Sequence, residues 1–237
     1  MALFAIGDTH LSIGGSKPMT VFTGWERYTE RLEENWRRLV RPEDTVVIPG
    51  DISWGMSLEQ ARADFAFLQA LPGRKLLLKG NHDYWWCTRR RMDTFFAENG
   101  FDTLRIVHND AVPVDDRLAV CGSRGWFFDA EEDADRKVLL REAGRLRTSI
   151  RAARQTGLEP VAFLHYPPLY CVRPGGDGPE QLCPEILAVL QEEGVRRCYY
   201  GHVHGQGIRL AFNGDYEGIR YQLVSADALH FCPAPVF

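Results

Sequence analysis

Five short segments of the chain place carboxylate, amide or imidazole side chains directly after apolar runs. They read Gly7-Asp8-Thr9-His10, Pro49-Gly50-Asp51, Gly80-Asn81-His82-Asp83, His165-Tyr166 and Gly201-His202-Val203-His204. Oxygen and imidazole donors without thiolates are typical ligands of divalent transition metals. A single motif of this kind occurs by chance in many proteins, but the ordered set of five predicts a metal site.

The apolar runs before these segments have the length and composition of buried strands. They are Leu3–Ile6, Thr45–Ile48, Lys75–Leu78, Val161–Leu164 and Cys198–Tyr200, and Leu118–Val120 is a sixth. In open α/β sheets, sites form at the carboxyl ends of the strands, so the five segments should converge on one edge. Glycine precedes the first ligand in four of them, and glycine permits the sharp turn that a strand end requires.

Helical patterns alternate with the strands. Trp25–Val40 carries an apolar face, and Ser57 followed by Gln60 is a capping box that should open a helix through Leu71. An Asn213-Gly214 turn between two apolar runs predicts a β-hairpin near the end of the chain. The alternation predicts one α/β domain over residues 1–237.

The motif series DTH, GD, GNHD, H and GHVH resembles that of the calcineurin-like metallophosphoesterase superfamily, here a small prokaryotic-type phosphohydrolase. The resemblance implies a four-layered α/β/β/α sandwich with two mixed sheets and a dinuclear metal site at the strand ends. It implies one metal held by Asp8, His10 and His204, a second held by Asn81, His165 and His202, and Asp51 bridging both. It also implies that His82 is the catalytic histidine, which donates a proton to the leaving oxygen or stabilises the transition state. Asp83 either orients His82 or anchors the turn.

The charge of such a site suits phosphate chemistry. Two carboxylates, Asp8 and Asp51, offset only half the charge of two divalent ions, so the centre stays positive and attracts a phosphate ester. We expect in-line attack by a metal-bridging hydroxide. Manganese is the favoured metal, with iron and zinc as alternatives.

The second motif departs from that of the protein Ser/Thr phosphatases. It reads Gly50-Asp51-Ile52-Ser53-Trp54-Gly55, without the usual phosphate-gripping arginine. Arg124 or Arg173 could replace it, and Trp54 and Trp85 could wall a narrow pocket. The Gly- and Pro-rich segment 172–179 is predicted to be an active-site loop. We therefore predict a small, nucleotide-like or other small phosphoester as substrate.

Composition narrows the class of protein further. The 237 residues carry a net charge of −4, which does not indicate the basic groove of a nuclease. The six scattered cysteines favour reduced thiols and a cytoplasmic location, and no apolar stretch has the length of a membrane helix. The alternatives to an enzyme acting on small phosphoesters are a non-catalytic interaction module on the same fold, or a nuclease. Complete ligands and a retained His82 favour the enzyme. The sequence predicts no oligomeric state.

Overall fold

The computed structural model describes residues 1–15, 17, 19–126, 132–175 and 178–236. The chain divides into two compact units, one formed by Met1–Ile106 with Val224–Phe237 and the other by Val107–Leu223. Each unit is built on one mixed β-sheet accompanied by helices. The predicted α/β class and the pair of mixed sheets are confirmed.

The first unit contains a five-stranded sheet of order β13-β1-β2-β3-β4. Its strands are β1 (Leu3–Ala5), β2 (Thr45–Pro49), β3 (Arg74–Leu78), β4 (Leu104–Ile106) and β13 (Ala234–Pro235), and β13 alone is antiparallel to its neighbour. Ala5 lies opposite Val47, and Val47 lies opposite Leu76. Strands β1, β2 and β3 therefore run in register, and the segments that follow them leave the sheet at the same edge.

Three helices complete the first unit: α1 (Tyr28–Leu39), α2 (Arg62–Ala70) and α3 (Arg89–Glu98), with a short 3-10 turn at Met19–Val21. Leu32 and Trp36 on α1 are fully buried in the apolar cluster of this unit. Each such side chain contributes ~1.5–3 kcal/mol by leaving water. The Trp36 indole also donates a hydrogen bond to the carbonyl of Pro72 at 2.9 Å, so its polar group is satisfied.

Two helix starts differ from the prediction. Helix α1 begins at Tyr28 rather than Trp25, because Arg27 has a left-handed backbone (φ 50°) that cannot belong to the first turn. The capping-box contacts between Ser57, Met56 and Gln60 do form, with Gln60 N donating to Ser57 Oγ at 3.3 Å. They close a separate turn, and α2 begins only at Arg62.

The second unit contains a six-stranded sheet of order β11-β12-β10-β7-β6-β5. Its elements are β5 (Val112–Pro113), β6 (Leu118–Ser123), α4 (Asp133–Gln155), β7 (Glu159–Leu164), β8 (Leu169–Tyr170), β9 (Gln181–Leu182), α5 (Pro184–Glu192), β10 (Arg197–Tyr200), a 3-10 helix at Gly205–Leu210, β11 (Gly214–Tyr216) and β12 (Ile219–Leu223). Strands β8 and β9 pair separately. Leu164 lies opposite Tyr200, so β7 and β10 end side by side.

A hairpin does form near the end of the chain, but its first strand and its turn differ from the prediction, because the apolar run before Asn213 belongs in part to the 3-10 helix Gly205–Leu210. Strands β11 and β12 are joined at Glu217-Gly218, both with positive φ (48° and 80°), as a two-residue hairpin turn requires. The side chain of Asn213 instead accepts a hydrogen bond from Leu223 N at 2.8 Å, beside the end of β12. The Asn-Gly pair therefore precedes the hairpin instead of turning it. Within the described residues, no helix is both long and apolar enough to cross a membrane.

Candidate metal centre

Three predicted ligands of the first unit lie close together. A carboxylate oxygen of Asp8 lies within 4.8 Å of a ring nitrogen of His10 and of a carboxylate oxygen of Asp51. The His10 Nε2 atom is 3.7 Å from Asp51 Oδ2. All three side chains are buried. The structure therefore gathers two acidic groups and one imidazole at the carboxyl ends of β1 and β2.

The backbone at these residues is strained. Asp8, His10 and Asp51 have positive φ values of 56°, 43° and 50°. A non-glycine residue rarely adopts this conformation, which costs of order 1–3 kcal/mol and is often found at functional sites. Neighbouring segments hold it in place, because Asp8 N donates to Gly50 O at 3.0 Å and His10 N to Asp51 O at 2.9 Å.

The loop after β3 packs directly against the loop after β2. His82 N donates to Asp51 Oδ1 at 2.8 Å, which fixes the orientation of this carboxylate. A side chain at Gly80 would collide with the backbone nitrogen and the carboxylate of Asp51. Gly80 therefore permits the close approach that brings Asn81 and His82 to the end of β2.

Asp83 anchors these two loops. Its carboxylate is buried and accepts hydrogen bonds from Asp51 N at 2.9 Å, Ile52 N at 2.8 Å and Gly80 N at 2.7 Å. The indole of Trp85 donates a fourth at 3.0 Å. Of the two predicted roles for Asp83, these four contacts support anchoring of the turn.

The ring of His82 lies over the same loops. Its centroid is 4.6 Å from that of Trp54 and 5.9 Å from that of His10. Its Nδ1 atom is 3.3 Å from the hydroxyl of Tyr84. His82 is half-buried, as is Asn81. A partly exposed imidazole held beside a buried carboxylate cluster is suited to exchange a proton with a bound ester.

The two tryptophans predicted to line a pocket occupy different environments. Trp54 stacks on His10, with ring centroids 4.9 Å apart and planes at 19°. Trp85 is 2% exposed and packs edge-on against Phe65. Trp85 therefore belongs to the core, because its indole nitrogen is committed to Asp83, and the prediction that it walls a pocket is corrected.

The second unit brings together two of its three predicted histidines. His165 follows β7 and is fully buried, and His202 follows β10 with a positive φ of 72°. The His165 Nε2 and His202 Nδ1 atoms are 3.3 Å apart. The Tyr166 ring packs on His202 with centroids 4.3 Å apart. His204 follows two residues later and is half-buried.

The two predicted phosphate-binding arginines also differ. The side chain of Arg124 is 16% exposed, and its Nη2 atom lies 3.8 Å from Glu142 Oε1. Its guanidinium carbon lies 4.4 Å from the centroid of the Trp126 ring. Its backbone carbonyl accepts the amide of His165 at 3.1 Å. Burial lowers the pKa of the Arg124 guanidinium, and its Nε atom is buried without a hydrogen-bond partner among the described residues.

Arg173 is 75% exposed at its side chain and lies 3.5 Å from Glu180 Oε1. It belongs to the predicted loop 172–179, of which residues 176 and 177 lie outside the described residues. An exposed ion pair of this kind contributes little to stability and does little to hold Arg173 in place, since both groups remain solvated. Of the two arginines, Arg124 is therefore the one held in a defined place beside a predicted ligand.

The donor set of the first unit fits a divalent transition metal. Two buried carboxylates so close to each other repel unless a cation offsets their charge. Asp8, Asp51 and His10 supply oxygen and imidazole donors, the types that bind manganese, iron and zinc. His165 and His202 supply further imidazole nitrogens in the second unit.

Sequence reasoning missed one residue in each unit. Glu142, on α4, is a buried carboxylate that pairs with Arg124 and, at 2.7 Å, with Arg145. Lys17 places its ammonium 4.5 Å from the centre of the Trp54 ring. Neither lies in a motif, so only the folded structure reveals the contacts.

Comparisons with known proteins agree with this chemistry. The sequence profile of the family described as calcineurin-like phosphoesterase matches residues 1–206. A search of curated protein sequences gave no match.

Three solved structures are similar to this chain to different extents. The phosphopantetheinyl hydrolase PptH of Mycobacterium tuberculosis is 15% identical, with a TM-score of 0.53, and the alignment covers 100% of this chain and 95% of that one. A protein of unknown function from Aquifex aeolicus is 18% identical, with a TM-score of 0.48 and coverage of 99% and 95%. GAP50, the anchor in the inner membrane complex of Plasmodium, is 9% identical, with a TM-score of 0.49 and coverage of 96% and 72%.

Proposed function

Because the chain belongs to the calcineurin-like phosphoesterase family, it is a metal-dependent phosphoric ester hydrolase, and we propose that residues 1–237 act as a single domain on small phosphate mono- or diesters. The family match over residues 1–206 includes all seven proposed metal ligands. These are Asp8, His10, Asp51, Asn81, His165, His202 and His204.

The observation that carries the proposal is the cluster of Asp8, His10 and Asp51 in the first unit, with His82 bonded to it. Motif order supports two ions, with Asp51 as the shared ligand. Divalent ions, with manganese favoured, would supply Lewis acidity toward water and toward the phosphoryl oxygens.

The protein's own residues contribute orientation and a proton. The Asp51 carboxylate is held by the His82 amide, and the Asp83 carboxylate holds both loops, so the ligands are fixed before a substrate binds. His82 is the proposed general acid. Its half-buried ring lies beside the rings of Trp54 and His10, and it donates its proton to the leaving oxygen of the ester.

Charge supports small esters, and diesters in particular, as substrates. The protein phosphatase arginine is missing from the second motif, where Trp54 stands instead. A dianionic phosphoserine therefore lacks the bidentate grip that it would need. A diester monoanion requires less countercharge. Arg124, placed beside His165, is the arginine that we propose for contact with the phosphate.

The decisive experiment compares three substrates on the manganese-loaded protein. We expect a higher kcat/KM for bis(p-nitrophenyl) phosphate and p-nitrophenyl phosphate than for a phosphoserine peptide. Arg124→Gln should lower kcat/KM, and Arg173→Gln is the matched control. A clear preference for the phosphopeptide would refute the substrate class, and no hydrolysis of any ester would refute the function.

We also propose a cytoplasmic location. All six cysteines are free thiols, and four of them are buried. Burial raises the pKa of the Cys183 thiol to about 11, which keeps it protonated and unreactive. Unpaired thiols in this number are typical of proteins in reducing compartments.

A further inference from the structure

A cavity of about 510 Å³ opens beside Trp54 within the first unit. Its lining combines a loop that follows the first metal motif with residues between Trp54 and Gln60 and with Asp64 on α2. The lining residues are Ser12, Gly14, Gly15, Lys17, Trp54, Gly55, Met56, Gln60 and Asp64. No residue of this set except Trp54 has a part in the function proposed above.

Trp54 connects the cavity to the reaction site. One contact of its ring is the stacked imidazole of His10, and another is the ring of His82 at 4.6 Å. The Lys17 ammonium lies over the same indole at 4.5 Å. A group bound at Lys17 would therefore be one aromatic ring away from His82, the residue proposed to protonate the leaving oxygen.

Among the described residues that line the cavity, Lys17 carries a positive charge that no carboxylate pairs with. The ammonium forms no ion pair with any residue that the structure describes. Asp64, the acidic residue of the lining, points its oxygens inward, since it accepts hydrogen bonds from Ile13 N and from Ser53 Oγ. Contact with the Trp54 ring holds the ammonium in place without neutralising it. A positive charge at a cavity wall that no described carboxylate offsets favours an anionic ligand.

We propose that this cavity binds an oxyanionic group on the leaving-group side of the substrate, with Lys17 as its counter-ion. This inference rests on the proposed function and specifies its substrates as phosphoesters whose leaving group carries a carboxylate or a second phosphate. The hydroxyl of Ser12 and the amide of Gln60 can add hydrogen bonds to the same oxygens.

The test uses three esters that differ at one position of the ring: phenyl phosphate, 4-carboxyphenyl phosphate and hydroquinone bisphosphate. Phosphate release is measured for the wild type, Lys17→Gln and Lys17→Arg, with Lys137→Gln as the control, since Lys137 is an exposed lysine on α4. Each variant is compared with the wild type on each ester, so intrinsic differences in leaving ability cancel.

We expect Lys17→Gln to lower kcat/KM about tenfold on an ester with a charged substituent, as for loss of a hydrogen bond to a charged group. Phenyl phosphate should change less than twofold, and Lys17→Arg should retain activity on all three. A lower kcat/KM for 4-carboxyphenyl phosphate alone, or for hydroquinone bisphosphate alone, identifies which oxyanion the cavity binds. Equal loss on all three esters, or no loss on any, would overturn the proposal.

A binding measurement separates this inference from the proposed function. Hydroquinone bisphosphate is titrated into metal-free protein with ¹⁵N-labelled tryptophan, and the indole signal of Trp54 is followed by NMR. We expect the signal to shift in the wild type and in Lys137→Gln but not in Lys17→Gln. A Lys17-dependent shift in a protein that hydrolyses no ester when loaded with manganese would support the cavity and refute the enzyme. Hydrolysis by the manganese-loaded protein without such a shift would support the enzyme and refute the cavity.

Discussion

The buried carboxylate of Asp83 determines how firmly the first unit holds its metal-binding loops. Its Oδ1 atom accepts from Ile52 N at 2.8 Å, from the Trp85 indole at 3.0 Å and, at the longer distance of 3.4 Å, from Ser53 N. Its Oδ2 atom accepts from Asp51 N at 2.9 Å and from Gly80 N at 2.7 Å. Asp83→Asn keeps the shape but replaces one oxygen by an amide nitrogen, which would face at least two N–H donors and could accept a hydrogen bond from none of them.

The expected decrease in the free energy of unfolding follows from these hydrogen bonds. A hydrogen bond to a charged group contributes ~1.5–3 kcal/mol, and leaving its buried donor unsatisfied carries a similar penalty. Two lost bonds should therefore lower the free energy of unfolding by roughly 3–6 kcal/mol. With the amide nitrogen at the position of Oδ2, the Asp51 and Gly80 amides lose their acceptor, so the loop that carries Asp51 is held less firmly and affinity for Mn²⁺ should fall as well.

Urea unfolding of the metal-free protein measures the first effect, and calorimetric titration with Mn²⁺ measures the second. The matched control is Asp93→Asn, which removes an exposed carboxylate paired with Arg89 on α3 and should cost no more than about 0.5 kcal/mol. If the free energy of unfolding of Asp83→Asn lies within about 1 kcal/mol of the wild-type value, Asp83 does not anchor the loops as described.

Three further predictions concern the metals, the acid and a buried amine. Elemental analysis of the manganese-reconstituted protein should find two ions per chain, and Asp51→Asn should lower that content; one ion or none in the wild type would contradict the assignment. His82→Ala should lower kcat by ~10²–10⁴-fold while both ions remain bound, and release of a metal would instead make His82 a ligand. Burial lowers the pKa of Lys75 to about 8. The unfolded chain therefore holds more protons between that pH and the ordinary lysine pKa, so the unfolding free energy of the wild type should rise relative to Lys75→Met from pH 8 to pH 10. A flat or falling difference in urea titrations would show that Lys75 stays charged.

The sequence predicts those parts of the fold that depend on local pattern. The buried runs at Thr45 and Lys75 are strands because short apolar segments need burial on both faces. The apolar spacing of Leu32 and Trp36 requires a helix, which the structure contains. Motif order also identified Asp8, His10 and Asp51, and the first unit gathers them.

The features that the sequence does not predict are those for which the same local residues are compatible with two different arrangements. Ser57 and Gln60 form the same contacts in an isolated turn as at a helix start. Asn213 uses its side chain beside β12, which leaves the hairpin turn to Glu217-Gly218. Trp85 lies three residues after a site histidine, yet it points into the core, because its indole is drawn to the Asp83 carboxylate. These three arrangements depend on contacts with residues far away in the sequence or on the direction of a side chain. The spacing of residues along the sequence predicts neither.

The left-handed backbone of Asp8, His10 and Asp51 affects when the protein pays the conformational cost of its site. Hydrogen bonds from Asp8 N to Gly50 O and from His10 N to Asp51 O already fix these conformations within the first unit. The free-energy cost of the strained backbone therefore arises during folding. The metal-binding loops have their final conformation before a metal binds. Exchange of one divalent ion for another should then proceed without rearrangement of the backbone, and selectivity among metals would follow donor chemistry and cellular supply more than geometry.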